Sequence, residues 1–278
     1  MKTQIKNLMI IAILFFLFSI SSTAQDNKQP TTRLMNLICW QEFQEIVPEH
    51  IETVLLPVGS LEPHGVIPNG TDNLAPESMA QVIAGRLNAM IAPTLNYGIT
   101  PAMKAFPGAV TISREAYKLF TADILAGLAD NKFKNIIILN GHGGNSTMLE
   151  EVATNISLEK NVRILVTNWW SMTADITQEV FGEDGGHAGN NETAYVQASY
   201  PEHIHPERFT KDMAIPNPLN NAYKAIPVPS SILLYKKGEG YPTFDKKQAD
   251  IFFKKVNDRM VEVIADIIKK WDLAKLFN

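Results

Sequence analysis

The chain has 278 residues, 45% hydrophobic and 19% charged, with a formal net charge of −4. Those numbers describe a globular protein and exclude a disordered or low-complexity chain; with no basic block, no nucleic-acid partner is expected. Cys39 is the only cysteine, so no intrachain disulfide can form and the fold must be held by its core.

In chain order, Lys2 and Lys6 precede an apolar run from Leu8 to Ile20, and Ser22-Thr23-Ala24 follows it. This is the pattern of a secretory signal peptide over 1–24, with cleavage expected near Ala24 and a secreted or periplasmic mature protein. The apolar run falls short of the about 20 residues that a spanning helix needs, so the mature form is expected to carry no membrane span. Residues 25–32 are polar and read as a flexible lead-in to one domain over 33–278. Glu52 to Gly59 is an unbroken apolar run, as suits a strand buried on both faces of a parallel sheet. Pro76 to Met90 reads as a helix with proline at its start, and Ile91 to Leu95 as a second strand. Ser113 opens the next helix, with Glu115 in its first turn. Phe133 to Leu139 is the clearest buried strand. Thr147 to Leu158 is a helix, Val162 to Thr167 a strand, and Glu192 to Ser199 and Lys246 to Leu273 two further helices. Pro201 to Pro229 carries six of the sixteen prolines and reads as an extended excursion, a lid, a subunit contact or a plain surface loop. Alternating strands and helices predict an α/β fold with a mostly parallel sheet.

Three polar segments concentrate metal-ligand residue types. The first runs from Gly59 to Gly65 with Glu62 and His64, and closes at Thr71-Asp72-Asn73. The second is Asn140-Gly141-His142-Gly143-Gly144-Asn145, and the third His187-Ala188-Gly189-Asn190-Asn191-Glu192-Thr193. In open α/β sheets, ligands bind at the carboxyl ends of the strands. Glu62 and His64 follow one strand, His142 another, and Trp169 and Trp170 a third, so one sheet edge would collect them. Imidazole and carboxylate bind zinc, manganese and iron without thiolate, and a two-metal site can ionise water and polarise a carbonyl. Each piece also has a plainer reading: a hydrogen-bonded histidine, a capping glutamate, a glycine turn that could hold an anion. His50, His203 and His205 sit in loop-like text and read as solvated. Two adjacent tryptophans cannot easily both point inward, so one is a candidate pocket wall.

The motifs Pro57-Val58-Gly59-Ser60-Leu61-Glu62-Pro63-His64-Gly65, Gly70-Thr71-Asp72, Tyr97-Gly98, Phe106-Pro107-Gly108, and the second and third segments above occur in an order that resembles the creatininase family. The resemblance implies a three-layer α/β/α sandwich, two divalent metal ions (zinc first, manganese or iron otherwise), and hydrolysis of a C–N bond in a small-molecule amide, cyclic or of formamide type. It also implies a homo-oligomer, often a hexamer. Carried over by motif, Glu62, Asp72 and His142 would hold one metal, and His64, Asp72 and Glu192 the other, with Asp72 bridging. His187 would be catalytic, as proton donor or stabiliser of the tetrahedral intermediate. Trp169, Trp170, Tyr97 and Gly143 would bind substrate.

The chain departs from the family in three places. The loop from Gly65 to Asn69 is one residue shorter than usual and lacks a second histidine. Gly144 stands where creatininase proper has a metal-site glutamate, and Gly186 where it has a catalytic one. These changes point away from creatinine as substrate. They motivate a rival reading, a catalytically inactive envelope protein that binds a ligand on the same fold. A metal-dependent phosphoesterase is a third, disfavoured because no basic residue accompanies the ligand loops.

Overall fold

The first buried run forms β1 (Thr53–Val58), every residue of which is buried. In this computed structural model, residues 29–210, 212, 225–227 and 240–277 are described. The segment expected to be a signal peptide (1–24) and much of the proline-rich excursion lie outside those residues. β1 pairs in parallel with β2 (Ala89–Ile91) on one side and β3 (Asn135–Asn140) on the other, and β3 pairs in parallel with β4 (Arg163–Asn168). The sheet order is β2-β1-β3-β4.

Side chains alternate across the sheet, and the two faces build two cores. Val54, Leu56, Val58, Ile136 and Ile138 pack under α1 (Trp40–Ile46), α3 (Arg114–Asp130) and α4 (Ser146–Lys160). Leu55, Ile137 and Leu139 pack under α2 (Thr71–Ile83), α7 (Asn190–Ser199) and α8 (Lys246–Leu273). The result is the expected three-layer α/β/α sandwich. Pro57 lies in this central strand and its carbonyl accepts from the Leu95 N–H at 3.0 Å, beyond the end of β2.

Most elements agree with the sequence reading to within two or three residues. Ser113 caps α3, its Oγ accepting from the Ala116 N–H at 3.1 Å, and Asp245 caps α8 by accepting from the N–H groups of Lys247 and Gln248. The helix expected at 76–90 differs. α2 starts at Thr71, contains Pro76, and ends at Ile83, while Met90 belongs to β2. The preference for proline at helix starts misled, because Pro76 sits one and a half turns inside. The consequence reaches the site: Asp72 lies on the first turn of a helix, not on a loop. The run Trp169–Met172 is also a short helix, α5, followed by α6 (Ala174–Phe181). No helix among the described residues is long and apolar enough to cross a membrane.

Arg163 opens β4 at the end of the sheet remote from the three polar segments. It is 2% exposed, and its guanidinium donates to Asp272 Oδ1 at 2.5 Å and to the Leu276 carbonyl at 2.6 Å. These charge-assisted bonds hold the end of α8 against the sheet. Arg163→Ala is expected to cost about 2–3 kcal/mol, read as a lower urea midpoint at unchanged slope.

Candidate metal centre

Asp72 is delivered by an unusual approach of backbone to backbone. Pro76 has no N–H to return to the Asp72 carbonyl four residues earlier, and that carbonyl presses into the gap between the ends of β1 and β3. A Cβ at Gly59 would lie 2.2 Å from Asp72 O, and one at Gly141 would lie 2.0 Å from it. Only glycine lets the helix start enter so far. Asn73 and Asn145 then tie the loops together. Asn73 Nδ2 donates to Ser60 O at 2.8 Å, and Asn145 Nδ2 donates to Gly59 O at 2.9 Å while its Oδ1 accepts from the Ile99 N–H at 3.0 Å.

Each histidine is oriented through its outer nitrogen. His64 Nδ1 donates to the Glu62 carbonyl at 2.9 Å, which turns Nε2 toward Asp72 Oδ1 at 2.9 Å and Glu192 Oε2 at 3.6 Å. His142 Nε2 donates to the Ile99 carbonyl at 3.0 Å, which turns Nδ1 toward Asp72 Oδ2 at 2.9 Å and Glu62 Oε1 at 3.4 Å. Holding the outer N–H fixes tautomer and ring plane, as metal-ligating histidines require. The carboxylates are held too. Ser60 Oγ donates to Asp72 Oδ2 at 2.7 Å, Thr100 Oγ1 to Glu62 Oε2, and the Ala188 N–H to Glu192 Oε2 at 2.6 Å.

The five side chains expected as ligands therefore converge in two sets, Glu62 with Asp72 and His142, and His64 with Asp72 and Glu192. In each set the ligand atoms lie within 4.8 Å of one another. Asp72 turns one oxygen to each histidine. His64 Nε2 is buried and, though 2.9 Å from Asp72 Oδ1, makes no aligned hydrogen bond. A nitrogen aimed at a point it shares with carboxylate oxygens is what a divalent cation such as zinc would complete.

His187 stacks on His64 with ring centroids 4.2 Å apart. Its Nε2 donates to the Pro63 carbonyl at 2.7 Å, and its Nδ1 faces Glu62 Oε1 at 3.4 Å. With Glu62 and His64 it forms a third convergent set.

The charges of the protein alone bear on metal loading. Burial pulls the His64 pKa down, but the Asp72 carboxylate and its neighbours outweigh this and raise it to about 10. His142 is likewise raised, against its burial, by hydrogen bonds to Asp72 and Glu62. Asp72 is held well below the usual carboxylate range, its burial overcome by His64 and His142. Burial raises Glu192 to about 7. Burial, with the charge of His64, lowers His187 to about 4. At pH 7 His64 thus carries a proton that a metal must displace, and the upward shifts of His142 and Glu192 act in the same direction. Zinc loading of the metal-free protein at pH 7 is expected to release protons, measured with an indicator dye in weak buffer. Below those raised pKa values, affinity for zinc should rise with pH.

The site opens into a cavity of about 600 Å³, walled by Trp170, Ser171 and Ala174 on one side and by Asp184 to His187 and Asn191 on the other. Trp170 and Gly143 both line it. Trp169 is 2% exposed and packs against Tyr195 in the core, so the tryptophan pair splits between wall and core. Tyr97 is 53% exposed and does not line the cavity. Ser60, Thr100 and the Ile99 carbonyl were not singled out by sequence reasoning. Ser60 stood inside a quoted motif; Thr100 and Ile99 carried no signal, because a backbone acceptor has no side-chain signature.

The departure at Gly144 has a steric reason. A Cβ there would lie 2.1 Å from the Ile99 carbonyl oxygen and 2.4 Å from His142 Nε2. The carbonyl that orients His142 occupies the space a glutamate would need, and Glu192 reaches the centre from α7 instead.

Comparison with known proteins agrees with this geometry. The sequence profile for creatinine amidohydrolase, the creatininase family, matches residues 36–264. Creatinine amidohydrolase of Pseudomonas putida is 26% identical over 191 residues, covering 62% of this chain and 73% of that protein. 3-Dehydro-scyllo-inosose hydrolase of Thermotoga maritima is 27% identical over 196 residues, 65% and 60% respectively. Mycofactocin precursor peptide peptidase of Mycobacterium ulcerans is 25% identical over 185 residues, 61% and 67%. A crystal structure of creatinine amidohydrolase superposes with a TM-score of 0.75 at 23% identity, over 85% of this chain and 98% of that one. A manganese form of creatininase gives 0.73 at 21%, over 84% and 98%. With the profile spanning most of its length, the chain is a member of the creatininase family.

Proposed function

We propose that this protein is a metal-dependent hydrolase that adds water across a C–N amide bond of a small molecule. The observation that carries the reading is the division of the two Asp72 oxygens between two convergent ligand sets. The nitrogen and oxygen donors suit zinc, with manganese or iron also compatible; zinc–zinc and manganese forms of creatininase are among the solved relatives. Once bound, two divalent ions supply Lewis acidity toward a carbonyl oxygen and acidify water. The side chains of Glu62, Asp72 and Glu192 would offset most of the ions' charge. His187 enters neutral, with Nε2–H committed to Pro63 and a lone pair on Nδ1. It therefore accepts a proton from the attacking water and returns it to the departing nitrogen.

Among the described residues no lysine or arginine lines the cavity, which leaves a phosphate ester without a cationic partner. The inactive-protein reading rested on Gly144 and Gly186. The first loses its force, because Glu192 completes the ligand set that Gly144 does not. Trp170 and the open glycine loop suit a cyclic amide or formamide, and the three kinds of curated relative carry the names amidohydrolase, hydrolase and peptidase. The test is turnover of a panel of formamides, lactams and short peptides. Activity abolished by a chelator and restored by zinc or manganese is expected; none with any substrate after metal loading would favour a binding protein.

Export is part of the same proposal and rests on the N-terminal pattern alone; a mature mass beginning at Gln25 is expected. So is a homo-oligomer, supported by the family resemblance and measurable by light scattering.

A further inference from the structure

Asn191 sits on the first turn of α7, is 4% exposed, and lines the cavity beside the ligand Glu192. Its Oδ1 accepts from the Gly186 N–H at 3.0 Å. That bond fixes which end of the amide is which, since a backbone N–H requires an oxygen opposite it. Backbone closes one face of the side chain. The Gly185 backbone lies flush upon it, close enough that a Cβ at Gly185 would be 2.4 Å from Asn191 Cγ. Nδ2 is thus oriented, yet it donates to no group among the described residues. It is also absent from the fully enclosed polar atoms that lack a partner, so it reaches the open space of the cavity.

Such an amide has two N–H donors, and leaving donors idle in a nearly buried side chain is costly unless a ligand or solvent takes them. We propose that Asn191 is a substrate-binding residue whose Nδ2 donates to an oxygen of the substrate, which selects amides that carry a carbonyl or hydroxyl acceptor within reach of that wall. The assignment rests on the amide-hydrolase reading and adds to it a donor on the wall formed by α7.

The test uses the zinc-loaded full chain and 2-pyrrolidone as probe, with nitrogen–proton NMR of the Asn191 side-chain NH2 and the Trp170 indole. Saturable shifts of both are expected. Asn191→Asp keeps an acceptor for Gly186 and removes the donors, and should weaken pyrrolidone binding about tenfold, or about 1.4 kcal/mol, at unchanged zinc content. Asn191→Ser serves as a second variant. Movement of Trp170 without Asn191, or full affinity in both variants, overturns the assignment while the amide reading stands. Movement of neither signal overturns both.

Discussion

Asp72→Ala should lower bound zinc from about two equivalents to fewer than one and reduce turnover by at least about 10³-fold. The size follows from position. Asp72 gives an oxygen to each ligand set, so its loss weakens both at once, and about 4 kcal/mol of lost charge stabilisation corresponds to that factor. The variant should still fold, because the side chain contributes no packing to either core. Ser60→Ala provides a graded comparison. It removes only the hydroxyl that donates to Asp72 Oδ2, and supporting groups of that kind are worth about 10–100-fold in metal affinity. Zinc content by mass spectrometry beside turnover on one substrate checks both. An Asp72→Ala protein that keeps two equivalents would remove the bridging role.

Glu192→Gln is expected to empty the second ligand set and spare the first, because Glu62, Asp72 and His142 do not depend on it. About one equivalent of zinc should remain, with turnover down about 10²–10³-fold. The informative companion is Glu192→Gln combined with Gly144→Glu, which restores a carboxylate where creatininase proper has one. No rescue is expected here. A side chain at Gly144 would meet the Ile99 carbonyl at 2.1 Å, and displacing that carbonyl frees His142 from the bond that orients it. Recovery of the second zinc in the double variant would show that the loop yields and that Glu192 was chosen for some other reason.

Much of this centre could be read from the sequence, for a definite reason. Strands buried on both faces announce themselves as unbroken apolar runs, and in a parallel sheet their ends fall on one edge. Glu62, His64 and His142 follow two such runs, so topology alone brings them together. Asp72 was legible as a residue type but not as a geometry. The proline at 76 drew the predicted helix start away from it, and nothing local reveals that the Asp72 carbonyl lodges between Gly59 and Gly141. Glu192 and His187 follow no strand; the segment's motif made them legible, and only the packing of α7 shows why they reach the centre. Tyr97 shows the opposite error: an aromatic residue beside a motif glycine resembles a pocket wall until its backbone turns it to solvent. Residues that act through backbone carbonyls, as Ile99 and Pro63 do, left no trace in residue type.

The most direct test of the dinuclear centre is anomalous diffraction at the zinc edge from crystals of the zinc-loaded protein. Two peaks are expected about 3.5–4 Å apart, one among Glu62, Asp72 and His142 and the other among His64, Asp72 and Glu192. A single peak, or peaks away from these five side chains, would contradict it.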